Sequence, residues 1–383
     1  MKQWLAALCG AASLACAGAD FGVTLIARAD DARLERGRLE RATLGHPGGP
    51  LSDGVMVALK EAAFELDAAG AKILLTLAAA STPEAARAAA LAAEKAGAAA
   101  LLVDLPVAAL LAVVGAVKLP VINLSATEDQ LREADCRRNL LHTAPSERMR
   151  ADALAQTLVA RRWSQVLLLV GPTPQDALRG ATAAAAIKRY GLTLVDTRRF
   201  KLSADPRERE QANPLLLTGK AGYDAVWVVD GDGEFARGLP YRTALPRPVV
   251  GDAGLVALAW QAQFERFGAP QVSRRFARAA SRPMTAHDWS AWMAGKALVA
   301  AAVAAPKGPP PAFAKALAEA SLDGSKGVAM SFRPWDGQLR QPLLLSDGQA
   351  VIGSAPIEGL LHPKNILDTL GADAPEKLCK TRV

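Results

Sequence analysis

The chain has 383 residues, 51% of them hydrophobic and 22% charged, with a formal net charge of +7. That length allows two lobes that each bury a core. The basic residues are scattered among Asp and Glu without interleaved aromatics, which excludes a nucleic-acid footprint.

Lys2, an apolar run over 5–14 and Ala17-Gly18-Ala19 ahead of Asp20 read as a secretory signal spanning 1–19. Its removal takes the charge from +7 to +6. Cys16 leaves acylation as an alternative, although Ser13 stands where a lipobox leucine belongs. No later segment reaches about 18 uninterrupted apolar residues, so no membrane span is expected. The richest run, 291–305, carries Lys296. Cys9 and Cys16 leave with the signal, and a disulfide between Cys136 and Cys379 is the simplest account of the remaining pair in an oxidising compartment. Two separate thiols are the other reading.

Strand and helix patterns then alternate. Residues 21–27 read as a strand and 28–41 as a charged rim segment. Gly45-His46-Pro47-Gly48-Gly49-Pro50 is a break, 52–69 a helix with one apolar face, and 71–77 a strand. Ser81 and Glu84 have capping-box spacing, with Pro83 suited to the first turn of a helix that Gly97 ends. A third strand at 99–103 and a third helix at 106–117 complete a set that implies parallel order and right-handed crossovers. The rest of the chain is organised around residues 119–168. The strand Pro120-Val121-Ile122-Asn123 runs into Ser125-Ala126-Thr127, and a second short strand at 139–145 leads into a new run of strands and helices. Ligands of open parallel sheets bind beyond the carboxyl ends of the strands, so Ser125-Ala126-Thr127 is expected on a cleft floor and 139–145 as a hinge.

The second run comprises a helix at 146–161, strands at 166–170, 192–200 and 225–229, and helices at 174–190 and 208–218. Residues 248–251 are extended and are expected to return the chain to the first lobe. More α/β material comes at 256–263, 273–280 and 288–304, then a linker turn at 306–311 and a short helix at 312–320. Asp336-Gly337 marks a tight turn expected to join 328–333 to a partner strand at 343–345. From Pro356 the chain reads as a tail wrapping the surface. No repeat with a period of about 20 to 50 residues is present.

With Ile122-Asn123-Leu124-Ser125-Ala126-Thr127, the 139–145 strand and Met330-Ser331-Phe332-Arg333-Pro334-Trp335-Asp336-Gly337 in view, the chain resembles the type I periplasmic binding proteins of the branched-chain amino-acid (leucine/isoleucine/valine-binding) ABC importer family. The resemblance follows element order over nearly the whole mature chain. Ala134-Asp135-Cys136, Leu141-His142-Thr143-Ala144-Pro145-Ser146, Ser331-Phe332-Arg333-Pro334-Trp335 and Gly359-Leu360-Leu361-His362-Pro363 are similar to the subgroup linked to pyrroloquinoline-quinone-dependent alcohol dehydrogenases. The resemblance implies an α/β fold of two lobes, each a mostly parallel sheet flanked by helices. Lobe 1 is expected over 20–140 plus 251–329 and lobe 2 over 141–250 plus 330–383. Three crossings are expected near Leu140, Val250 and Met330. It further implies a monomeric, periplasmic, non-enzymatic protein that holds a small-molecule ligand between its lobes and delivers it to an ABC permease in the inner membrane. A ligand-sensing or accessory role beside a quinoprotein alcohol dehydrogenase, without transport, is the alternative.

Ser125, Ala126 and Thr127 are similar to the family's Ala-Thr loop, whose Thr meets the ligand's α-amino or carboxylate group. Thr127 and Gln130 also have capping-box spacing, so a purely local role is the competing reading. The chain departs from the family at Asp104, where a Ser or Thr is usual, and at 171–176, where an aromatic-rich loop is missing. Asp104, Asp176, Asp230, Asp232, Glu234 and Asp252 all come after expected strands. An α-carboxylate in such a cleft has no obvious Arg partner, so a cationic, polyhydroxylated or metal-carrying ligand is expected. Taken singly, each of these residues also suits a helix cap or turn. No cofactor is expected: no P-loop, no G-x-G-x-x-G after a strand and no G-x-S-x-G elbow occurs. The four histidines are too far apart for ligand spacing, which leaves no metal motif. Trp260, Trp289 and Trp292 are expected in the core, and Trp335 near the third crossing.

Overall fold

The computed structural model describes residues 19–39, 44–203, 205–306 and 310–382. The expected signal segment lies outside them except for Ala19, as does the lipidation alternative at Cys16.

The chain opens with β1 (Ala19–Arg28), α1 (Arg36–Leu39), α2 (Ser52–Glu61), α3 (Ala63–Ala69), β2 (Ala71–Ala80), α4 (Pro83–Lys95), β3 (Ala100–Asp104), α5 (Val107–Ala116), β4 (Val121–Asn123) and β5 (Leu140–His142). The five strands form one parallel sheet in the order β2-β1-β3-β4-β5. Its middle strands are buried on both faces, as continuous apolar runs such as Ala100-Leu101-Leu102-Val103 require. The expected 52–69 helix breaks at Ala62, leaving α2 against a later helix while α3 leads into β2.

Next come α6 (Glu147–Ala160), β6 (Gln165–Val170), α7 (Pro174–Arg189), β7 (Thr193–Arg199), α8 (Pro214–Thr218), β8 (Ala225–Val229) and β9 (Val249–Gly251). They build a second parallel sheet in the order β7-β6-β8-β9. The expected 208–218 helix is a 3-10 segment over Pro206–Ala212 and then α8, because Asn213 caps a new start at Pro214.

β10 (Val256–Leu258), α9 (Ala269–Ala280), α10 (Ala286–Ala304), α11 (Pro310–Ala318), β11 (Ser321–Asp323), β12 (Ala329–Ser331), β13 (Leu343–Ser346) and β14 (Val351–Ala355) complete the regular elements. β10, β13 and β14 make a small antiparallel sheet. The turn at Asp336-Gly337 exists, with Gly337 at φ 72, but it does not join β12 to β13. β12 pairs with β11, and only a Phe332–Leu339 bridge closes the turn, because β13 is occupied by β10 and β14.

One core gathers the first sheet with α2, α9, α10 and α11, and buries Trp260, Trp289 and Trp292. A second core gathers the second sheet with α6, α7, β13 and Leu370 from the tail. Cys136 and Cys379 are joined by a disulfide, Cα–Cα 5.6 Å, which fastens the tail beside β5.

Candidate functional site

Parallel strands deliver all their carboxyl ends to one edge of a sheet. Here those edges meet across a cleft of about 410 Å³. Ser125 and Thr127, after β4, line it from one side, and Trp227, Asp230 and Asp252, from β8 and the turn after β9, line it from the other. The Ser125-Ala126-Thr127 loop is built rigidly. Asn123 Oδ1 accepts the Ser125 and Ala126 N–H groups, and its Nδ2 donates to Ala126 O. Arg132, buried, donates to Ala126 O, Glu128 O, Ala144 O and Gln338 Oε1, so one guanidinium fixes this loop to the segment after β5.

Of the residues singled out from sequence, Ser125, Thr127, Asp230 and Asp252 meet at the cleft. Ala126 is buried behind the loop. Thr127 does not close a box with Gln130; its hydroxyl donates to Glu147 Oε1 at 2.7 Å. The 81–84 box also fails: Thr82 is the cap, because Pro83 occupies the first turn.

The acids are engaged rather than open. Asp104 is buried; its Oδ1 accepts from Ser125 Oγ at 2.6 Å and its Oδ2 from Arg33 Nη2 at 2.7 Å. Asp176, buried, closes a capping box with Thr173 and accepts the Gly231 N–H at 2.8 Å. Asp230 accepts the Ala236 N–H, and its own N–H donates to Asp252 Oδ2. Burial pushes the Asp230 carboxyl above its usual pKa; the Ala236 and Gly233 N–H groups oppose this, and the carboxylates of Asp252 and Asp176 add to it. Asp232 is exposed and, with Glu234, rims a neighbouring hollow beside Arg33, Arg38 and Arg237.

Cations that no sequence motif marks also line the cleft. Arg33, Arg150 and Arg179 all line the cleft, together with His46 and His287. The expectation that a carboxylate would lack an arginine there is therefore wrong. Arg179 Nη2 pairs with Asp252 Oδ1 and its Nε with Glu147 Oε2. Burial would raise the Glu147 carboxyl, but Arg179, Arg150 and the Thr127 hydroxyl outweigh it and hold the pKa down at about 2. The signal that could have found Arg150 and Glu147 is their place in the first turn of the helix after β5. Among the described residues no group of three or more His, Cys, Asp or Glu side chains is placed to hold a metal ion.

No family model matches the sequence, and no curated protein matches it. Solved structures do match. An ABC transporter substrate-binding protein from Sphaerobacter thermophilus superposes with a TM-score of 0.68 at 16% identity, covering 88% of this chain and 98% of that one. The leucine-, isoleucine-, valine-, threonine- and alanine-binding protein from Brucella ovis, in its closed conformation, gives 0.69 at 14%, covering 85% and 89%. An ABC transporter solute-binding protein from R. palustris in complex with benzoate gives 0.62 at 14%, covering 85% and 92%. The fold is that of the type I periplasmic binding proteins.

Proposed function

We propose that the chain is the periplasmic solute-binding component of an ABC transport system, capturing a small molecule between two lobes and presenting it to an inner-membrane permease. The lobes are 20–140 with 251–329 and 141–250 with 330–383, and residues 1–19 export the protein. The observation that carries this reading is the cleft itself: about 410 Å³, lined by Ser125 and Thr127 from one parallel sheet and by Asp230 and Asp252 from the other. That volume suits a small organic ligand. A ligand touching both walls favours the closed form by its differential affinity. The solved neighbours, described as substrate- and solute-binding proteins, support a binding role without catalysis. The benzoate and the amino acids named for two of those neighbours support a ligand of that size class. The finer kinship, with systems linked to quinoprotein alcohol dehydrogenases, rests on the 141–146, 331–335 and 359–363 motifs.

Native mass spectrometry of the protein purified from its own host, paired with small-angle scattering, tests the reading. The expected result is one small-molecule adduct, lost on unfolding, whose return compacts the protein. A protein that holds nothing and never compacts defeats it.

A further inference from the structure

We infer that the cleft takes an organic anion whose carboxylate docks on Arg150 and whose apolar body lies along Leu154, Val256 and Leu258, with no seat for an α-ammonium group. This deepens the binding-protein reading and rests on it.

Arg150 lies one turn into α6, behind the Ser146 cap, and its side chain is 23% exposed. It lines the main cleft and also a small recess beside Ser125, Pro145 and His287. Its Nε is buried and makes no hydrogen bond among the described residues. Among the described residues the one carboxylate oxygen paired with it, Glu147 Oε1, is 3.8 Å from Nη1, too far for a hydrogen bond, and already accepts from Thr127. A guanidinium carries five N–H donors in a planar fork. Leaving a buried donor unmade is costly, and a carboxylate is the group whose geometry suits a guanidinium fork.

The acceptors show the opposite condition. Glu147 accepts from Thr127 and Arg179, Asp252 from Arg179 and the Asp230 N–H, and Asp230 from the Ala236 N–H. An ammonium group entering here meets Glu147 and Asp252 already paired with Arg179, and an Asp230 carboxyl bonded to a backbone N–H. In the recess burial first, then Arg150 and Arg33, hold the His287 pKa down at about 4 against Asp104 and Asp288. His287 Nε2 is satisfied at Gly45 O, 3.0 Å away. Leu154 follows Arg150 by four residues on α6, so the apolar wall begins directly beside the anion seat.

The test is calorimetry on protein stripped of ligand by unfolding and refolding. The probes share carbon skeletons: 4-methylpentanoate, leucine, 3-methylbutylamine and 4-methylpentanol, with benzoate and phenylacetate as aromatic acids. At least one acid is expected to bind about 10-fold or more tightly than the matched amino acid, amine or alcohol. Arg150→Gln should weaken that acid by about 10- to 100-fold, the loss of a charge-assisted pair. Arg150→Lys, which keeps the charge without the fork, should recover part of it, and its unchanged melting temperature reports the fold. Preference for leucine or the amine overturns the inference while leaving the binding-protein reading intact, as does an Arg150→Gln protein that binds acid like the parent. Silence from every probe overturns the inference; if the protein also carries no adduct from its host, the reading beneath it falls too.

Discussion

Arg179 Nη2 lies 2.5 Å from Asp252 Oδ1, and through its Nε the same guanidinium reaches Glu147 Oε2 at 3.4 Å. One side chain on α7 thus ties the start of α6 to the turn after β9, and it does so at the cleft wall. Removing one member of a pair this enclosed leaves the others uncompensated. Arg179→Gln is expected to cost about 3 kcal/mol, measured by urea unfolding at neutral pH.

The same network predicts an acid-side dependence. The folded pKa of Glu147 is held at about 2, below its unfolded value of about 4.3. A depressed carboxyl stabilises the fold above the unfolded value, and that stability is lost as pH falls toward the folded one. Unfolding free energy is therefore expected to decline between about pH 4.3 and 2 with a contribution that Glu147→Gln removes. Parallel unfolding series on the two proteins check it; identical slopes across that window would contradict the assignment.

Lys326 is 4% exposed, with Nζ 2.9 Å from Pro342 O and 3.6 Å from the centre of the Trp289 ring. Burial pushes its pKa well below the usual lysine value. For a base lowered in this way the unfolded chain holds the extra proton, so stability rises with pH from the folded value toward about 10.4 and is poorest on the acid side. Lys326→Met is expected to stabilise by about 1–2 kcal/mol at neutral pH, with the gain shrinking as pH approaches the unfolded value. Thermal melts of both proteins at several pH values decide it. A lower melting temperature for the variant would mean that the Trp289 and Pro342 contacts outweigh the burial.

How much of this the sequence disclosed depends on where each signal sits. The strand–helix alternation was legible because apolar runs and caps are local, and Ser125, Thr127, Asp230 and Asp252 could be placed at one cleft because parallel strands end together. Arg33 and Arg179 could not, since a charged residue on a helix looks the same whether it faces water or a cleft; Arg150 offered only its place in the first turn of α6. The partners that occupy the acids were invisible for a related reason: Asp104 and Arg33 are 71 residues apart, and Arg179 and Asp252 are 73 apart. The expected pairing of 328–333 with 343–345 fails because an Asp-Gly turn specifies a reversal without saying which strand receives it.

The Cys136–Cys379 bond closes a loop with a sequence separation of 243. Arg382 adds contacts from the tail to the carbonyls of Arg137 and Arg138. Replacing both cysteines with serine is expected to lower stability by about 2–4 kcal/mol, since the unfolded chain regains the freedom the link removes. Mass analysis after alkylation supplies the companion check: with the bond in place, neither thiol takes label until a reductant is added.

Arg333 belongs to the stretch that most strongly suggested a family, and its surroundings give that stretch a structural task. Its guanidinium is 1% exposed, pairs with Asp368 at 3.0 Å and donates to the carbonyls of Leu367, Leu370 and Ala372. Trp335 lies beside both Arg333 and Arg340 and donates to Ala372 O. None of these residues lines the cleft. The Ser-Phe-Arg-Pro-Trp segment therefore docks the tail, and its effect on ligand binding should be indirect. Arg333→Gln leaves Asp368 with Arg340 but strips the three carbonyls of their donor, an expected loss of about 3–5 kcal/mol. Limited proteolysis should then cut within 360–378 faster than in the parent, while the affinity of the remaining folded protein for ligand stays unchanged. Loss of affinity without faster cleavage would place Arg333 in the binding machinery instead.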